Sequence, residues 1–152
     1  MSSQAPSPSG APPVIPGVNT LSVRVYYEDT DAAGVVYYAN YLRFCERART
    51  EWLRGLGFEQ RGLLDEVGTA FVVSSLEARY LAPARLDDLL RIQTRIASTG
   101  RASIVFAQNV LRGEELLFEA RITVASVDLA RGRAVAIPSA IRSRLTPSSP
   151  RS

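Results

Sequence analysis

Three acids crowd into four positions in Tyr26-Tyr27-Glu28-Asp29-Thr30-Asp31, and the chain then turns small and apolar through Ala32-Ala33-Gly34-Val35-Val36 before reaching Tyr37-Tyr38-Ala39-Asn40-Tyr41. A solvated turn between a strand and a helix accounts for Asp29 and Asp31 as they stand. A metal site is a weaker reading, because no further oxygen ligands follow at the usual spacing. A carboxylate just ahead of a helix has a sharper use. The first turn of a helix offers unpaired N–H groups and the positive end of the dipole. Those groups can polarise a carbonyl and hold the oxyanion of a tetrahedral intermediate. Asp31 beside such a turn could attack the carbonyl itself or deprotonate a water that attacks.

The chain contains no histidine. That excludes Ser-His-Asp and Cys-His hydrolases, histidine-based dehydratases and most zinc enzymes. A thiolate, whose parent thiol has a pKa of about 8.5, leaves without a strong general acid, whereas an alkoxide or an amine does not. A histidine-free hydrolase therefore suits thioesters far better than esters or amides. Cys45 falls on an apolar helical stripe and reads as core, not as a nucleophile. Glu46 is a weaker candidate for a second acid, since pairing with Arg43 or Arg49 also accounts for it.

The elements that must position these groups follow from periodicity. Leu21 to Glu28 alternates, with Val23, Val25 and Tyr27 on one face, and reads as a strand. A helix is predicted from about Tyr38 to Leu56, its apolar stripe formed by Tyr41, Cys45, Ala48, Trp52 and Leu56, widened by Leu42 and Leu53. Gly57 stands where a helix ends. A short helix is expected at about 59–67, followed by strands at 70–81, 88–98, 102–112, 116–128 and 133–137. Arg112-Gly113-Glu114 and Ala130-Arg131-Gly132 mark tight turns between them. One long helix on one face of an antiparallel sheet is an α+β arrangement. Its exposed edges favour pairing between two copies.

Composition bounds the rest. The 152 residues make one domain, expected over 20–145, with a disordered Pro- and Ser-rich leader at 1–19 and a similar tail at 146–152. No apolar run reaches the roughly 20 residues of a membrane span, and the first residues lack the features of a secretory signal. The single cysteine points to a reducing, cytoplasmic setting. The net charge is +3 and every basic residue is an arginine, spread along the chain. That argues against a nucleic-acid binder and fits an anionic small molecule.

The stretch from Val23 to Arg54, VRVYYEDTDAAGVVYYANYLRFCERARTEWLR, strongly resembles hotdog-fold acyl-CoA thioesterases of the 4-hydroxybenzoyl-CoA thioesterase type, and within them the YbgC branch associated with the Tol-Pal envelope system. Phe71-Val72-Val73 and the run from Tyr80 to Asp88, YLAPARLDD, are similar to the same branch. The resemblance implies a five- or six-stranded antiparallel sheet wrapped around the long helix, a homodimer or homotetramer, and a site between subunits. It implies hydrolysis of acyl-CoA or acyl-carrier-protein thioesters without a cofactor or a metal. Asp31 would be the catalytic carboxylate and the Tyr38 amide the oxyanion contact, with Val36 and Tyr37 against the substrate. It also implies that Arg101, in the turn Thr99-Gly100-Arg101-Ala102-Ser103, contacts the phosphates of CoA, with Ser103 a weaker contact. A solvated arginine beside a hairpin explains Arg101 equally well. The YbgC branch usually carries histidine where this chain has Tyr38, while the 4-hydroxybenzoyl-CoA branch carries tyrosine there. The acyl preference therefore stays open. A non-catalytic acyl-thioester binder or scaffold is the alternative, and the retained Asp31 speaks against it.

Overall fold

The computed structural model describes residues 17–59, 61–63 and 68–145. The expected leader up to residue 16 and the tail at 146–152 lie outside the described residues, as does part of the short helix expected at 59–67.

Six strands form one sheet, β1 (Val18–Arg24), β2 (Thr69–Tyr80), β3 (Leu89–Thr99), β4 (Ser103–Arg112), β5 (Glu115–Asp128) and β6 (Arg133–Ala134). The main path runs β1-β3-β4-β5-β2, antiparallel throughout, and β6 pairs with β5. Helix α1 (Asn40–Gly55) lies on the concave face, and a short helix α2 (Ser139–Arg142) follows β6. A curled antiparallel sheet around one central helix is the hotdog fold.

Alternation fixes the inner face. Leu90, Ile92, Thr94 and Ile96 of β3, with Ile104, Phe106, Gln108 and Val110 of β4, are buried, and the residues between them are more exposed. Phe118, Ile122 and Val124 of β5 continue this face. Against it α1 buries Tyr41, Phe44, Cys45, Ala48 and Leu53. The Tyr41 ring stacks on Phe118 with centroids 5.0 Å apart. Truncating a wholly buried ring such as Phe118 to alanine costs about 3–5 kcal/mol. Register shifts leave Ser74 of β2, Ala97 of β3 and Leu117 of β5 as extra residues that bend those three strands. Such bulges add the local twist that lets a sheet wrap a helix.

Several boundaries differ from the sequence reading. β1 starts at Val18 and pairs Val18 and Asn19 with Arg95 and Thr94, so the sheet begins inside the stretch expected to be a leader. The chain leaves β1 at Arg24 and enters a 3-10 turn at Tyr27–Asp29, which swings Tyr27 out to 82% exposure instead of onto the inner face. β2 does not neighbour the strand that follows it; it crosses to the far edge beside β5. α1 starts at Asn40, two residues later than predicted, because Tyr37–Asn40 forms a turn closed by the Asn40 N–H donating to the Tyr37 carbonyl at 2.8 Å.

Candidate active site

The acid-rich segment folds into a small hairpin between β1 and α1. Thr30 and Val36 pair as an antiparallel bridge, and the Asp31 N–H donates to the Val35 carbonyl at 2.9 Å. The Asp31 carbonyl in turn accepts the Gly34 N–H at 3.0 Å, with Gly34 at φ +81°, a conformation glycine reaches without strain. Val35 bridges to Arg85 and the Val36 N–H donates to the Ala84 carbonyl at 2.8 Å, which anchors the hairpin to the segment between β2 and β3.

The two aspartates have different partners. Asp29 uses both oxygens within the fold: Oδ2 accepts the Tyr26 N–H at 2.8 Å and Oδ1 accepts the Asn40 side-chain amide at 2.8 Å. Its carbonyl accepts the Tyr37 N–H at 3.0 Å. Asp29 therefore clamps the start of α1 to the end of β1. Asp31 is exposed, and its Oδ1 accepts the Ala33 N–H at 2.9 Å. Among the described residues its Oδ2 has no hydrogen-bond partner. One carboxylate oxygen orients the group and the other is left for a substrate or a water.

The start of α1 supplies the complementary group. The helix has no side-chain cap, and among the described residues the Tyr38 N–H donates to nothing. The Tyr80 hydroxyl, at the end of β2, donates to the Tyr38 carbonyl at 3.1 Å and holds the turn from the other side. Aromatic rings pack around it, with Tyr37 and Tyr38 centroids 4.8 Å apart and Tyr38 and Tyr80 6.2 Å apart. The adjoining Tyr38 side chain raises the Tyr37 pKa above its ordinary value. Tyr41 lies beneath this cluster; its hydroxyl accepts the Ala84 N–H at 2.9 Å, and burial raises its pKa while that amide and Arg112 pull the other way.

The residues singled out from the sequence divide into two groups. Asp31, Tyr37 and Tyr38 come together at one end of the sheet. Val36 belongs to the same hairpin, but its side chain is only 4% exposed and packs in the core. Arg101 lies at the other end, in the turn between β3 and β4, and Ser103 is the first residue of β4. The 11 residues of β3 separate the two ends, which is roughly 30 Å at the rise of an extended strand. Burial pushes the Cys45 thiol up to about 12, with Arg49 opposing, so it is held protonated and unreactive at neutral pH. Sequence reasoning passed over Tyr80 as a support for the turn and Gln108 as a polar residue on the inner face. Gln108 had a visible signal, because it falls in the inward phase of Ile104, Phe106 and Val110.

A single long helix held in a curled antiparallel sheet defines the hotdog class. Residues 33–119 match the model of the family described as the thioesterase superfamily, and the chain belongs to it. Among named relatives, it is 50% identical over 123 residues to the acyl-CoA thioesterase YbgC of Haemophilus influenzae, covering 81% of this chain and 90% of that protein. It is 52% identical over 120 residues to the acyl-CoA thioester hydrolase YbgC of Escherichia coli O157:H7, covering 78% and 89%. Of solved structures, a probable thioesterase from Bartonella henselae superposes with TM-score 0.76 at 38% identity, covering 80% of this chain and 99% of that one. A 4-hydroxybenzoyl-CoA thioesterase variant in complex with 4-hydroxybenzoyl-CoA superposes with TM-score 0.75 at 27% identity, covering 83% and 97%.

Proposed function

We propose that this acyl-CoA thioesterase cleaves its substrate with Asp31 as the group that delivers the nucleophile and the Tyr38 amide as the oxyanion donor. The observation that carries this reading is that, among the described residues, Asp31 Oδ2 and the Tyr38 N–H just ahead of α1 both have no hydrogen-bond partner. The thioester carbonyl lies with its oxygen toward that N–H. Asp31 attacks the carbonyl carbon, or takes a proton from a water that does. The oxyanion then collapses, the carbon–sulfur bond breaks and the thiolate of CoA departs without a general acid. Direct attack leaves a mixed anhydride that water cleaves; the general-base route yields the acid at once.

The CoA moiety extends toward Arg101, whose guanidinium suits its phosphates. A single chain separates Arg101 from Asp31 by most of the length of β3. The reading therefore needs a second copy. β2 is an edge strand of 12 residues with Val72, Val73, Leu76 and Tyr80 exposed, an open template for pairing. Antiparallel β2–β2 pairing around a twofold axis sets the Thr69 end of one copy against the Tyr80 end of the other. Arg101 of the partner subunit then lies at the same end as Asp31. We place this dimer in a reducing cytoplasm, where Cys45 stays a thiol. No helix among the described residues is long and apolar enough to cross a membrane.

Thiol release from a panel of acyl-CoAs by the Asp31→Asn variant tests the assignment. The expected loss is about 10²- to 10⁴-fold, the range for removal of a general base, with the oligomer unchanged by light scattering. A variant that keeps half of the wild-type rate would remove Asp31 from the mechanism.

A further inference from the structure

A cavity of about 480 Å³ runs along α1 between the helix and β2. Leu42 and Arg43, in the first turn of α1, line its near end. Its walls are mostly apolar, Trp52, Leu76 and Phe106 among them, and α1 adds Arg43, Glu46 and Arg49. Arg49 is the unusual member. It is half-buried, and the ion pairs among the described residues are made by Arg54, Arg79, Arg112 and Arg131, not by Arg49. Its partner is neutral: Nη1 donates to Gln108 Oε1 at 2.9 Å. Gln108 is 1% exposed and fixed in that orientation, since its Nε2 donates to the Cys45 carbonyl at 3.0 Å and to Thr94 Oγ1 at 2.8 Å. Burial lowers the Arg49 pKa, and the nearby Cys45 and Glu46 only partly offset it. Arginine keeps its charge even so, and this guanidinium is held in place from one side, with further donors than the one Gln108 occupies.

Neutral, hydrogen-bonded support for a desolvated cation in an apolar groove is costly unless an acceptor completes it. We propose that this groove receives the acyl chain and that Arg49 binds an oxygen carried by that chain. The preferred substrates are then medium-length acyl-CoAs with a carboxylate, or another acceptor oxygen, near the far end. This rests on the reading that the thioester carbonyl sits at the Tyr38 amide. Arg49 follows Asn40 by nine positions, about 14 Å along the axis. Its side chain leans back toward the helix start, leaving the guanidinium about 10 Å from it. At about 1.2 Å per chain bond, that distance selects acyl chains of about eight to ten carbons.

Initial rates of thiol release by the full-length protein decide the matter, with octanedioyl-CoA compared against octanoyl-CoA and decanedioyl-CoA against decanoyl-CoA. The wild type is expected to show kcat/KM about tenfold higher for the carboxylate-bearing member of at least one pair, as one charge-assisted hydrogen bond provides. Arg49→Met should bring that ratio to about one, and Arg49→Lys should retain part of it. The ratio is read within one protein, so a partly unfolded variant does not distort it. If Arg49→Met does not fold, the wild-type panel and Arg49→Lys still decide. Brisk release from both members of each pair with no preference, or a preference that survives Arg49→Met, overturns the Arg49 assignment alone. Failure to release thiol from any acyl-CoA would instead overturn the thioesterase reading beneath it.

Discussion

Asp29 and Asp31 are two residues apart, yet their oxygens have different tasks. Both oxygens of Asp29 close hydrogen bonds that fasten the start of α1, while one oxygen of Asp31 has no donor among the described residues. The Tyr38 amide is supported less directly. The Tyr80 hydroxyl reaches across from β2 to the Tyr38 carbonyl at 3.1 Å, so on the proposed mechanism Tyr80 positions the turn that carries the oxyanion donor. Tyr80→Phe keeps the ring that packs on Phe118 and Tyr41 and removes only the hydrogen bond. One neutral hydrogen bond is worth about 1 kcal/mol, so kcat should fall about fivefold with KM unchanged. Steady-state kinetics on one acyl-CoA checks this, and a change confined to KM would assign Tyr80 to substrate binding instead. The Tyr38 side chain, histidine in much of the resembling branch, is exposed and packs on Tyr37 and Tyr80. Its identity alters the surface around the acyl group without touching the N–H.

At the scale of elements, an ion-pair cluster holds the site end of the sheet together. Arg112, ending β4, bonds Asp88 Oδ2 at 2.7 Å beside β3 and Glu115 at 2.8 Å on β5, and its Nη1 also lies 3.3 Å from the Pro83 carbonyl. Burial alone would push the Asp88 carboxyl up, but the Arg85 amide and the Arg112 guanidinium outweigh it and hold the carboxyl below its ordinary value. A depressed carboxylate contributes its stability in full above the unfolded pKa of 3.8 and loses it as pH falls through the folded value. Asp88→Asn should therefore lower unfolding stability by about 1–2 kcal/mol at pH 7. Urea midpoints of variant and wild type should draw together as the pH falls below 4; a gap that stays the same size from pH 7 downward would mean that Asp88 acts by packing and not by charge. This cluster was invisible in the sequence, because its members belong to three elements whose adjacency depends on strand order. What local patterning specifies was legible. The inward phase of β3 and β4 and the core face of α1 follow from spacing, though Phe44 belongs to that face and was missed. Patterning does not encode partner choice, so the crossing of β2 to the far edge could not be read. Nor could the Tyr37–Asn40 turn that delays α1 and leaves the Tyr38 N–H open, since it depends on Asp29 holding Asn40. Asp31 and Tyr38 could be proposed from the sequence because the acid cluster and the helix start adjoin in the chain.

Across the whole molecule, the two groups assigned to one CoA ester lie at opposite ends of each chain. Asp31 follows β1, which ends beside the start of β3, and Arg101 follows the end of β3. The proposed site takes them from different copies, with the exposed edge of β2 as the seam offered for that pairing. Mixed dimers separate this arrangement from a site built within one chain. On the proposed assignment, Asp31→Asn lacks the catalytic carboxylate, and Arg101→Ala keeps it but holds the CoA phosphates more weakly. A hybrid of the two contains one site with Asp31 from one chain and Arg101 from the other, both intact, and a second site lacking both. Co-refolding equal amounts of the two variants gives about half hybrids by random pairing, each with one of its two sites restored. Activity at low CoA-ester concentration should then rise to about one quarter of wild type, well above either parent alone. If the groups acted within one chain, every site in the mixture would lack one of them, and the rate would be only the average of the two parents. Rates measured before and after mixing, on tagged pairs purified as hybrids, distinguish the two outcomes. A short pantetheine thioester, which has no nucleotide phosphates, serves as the control that Arg101 should not affect.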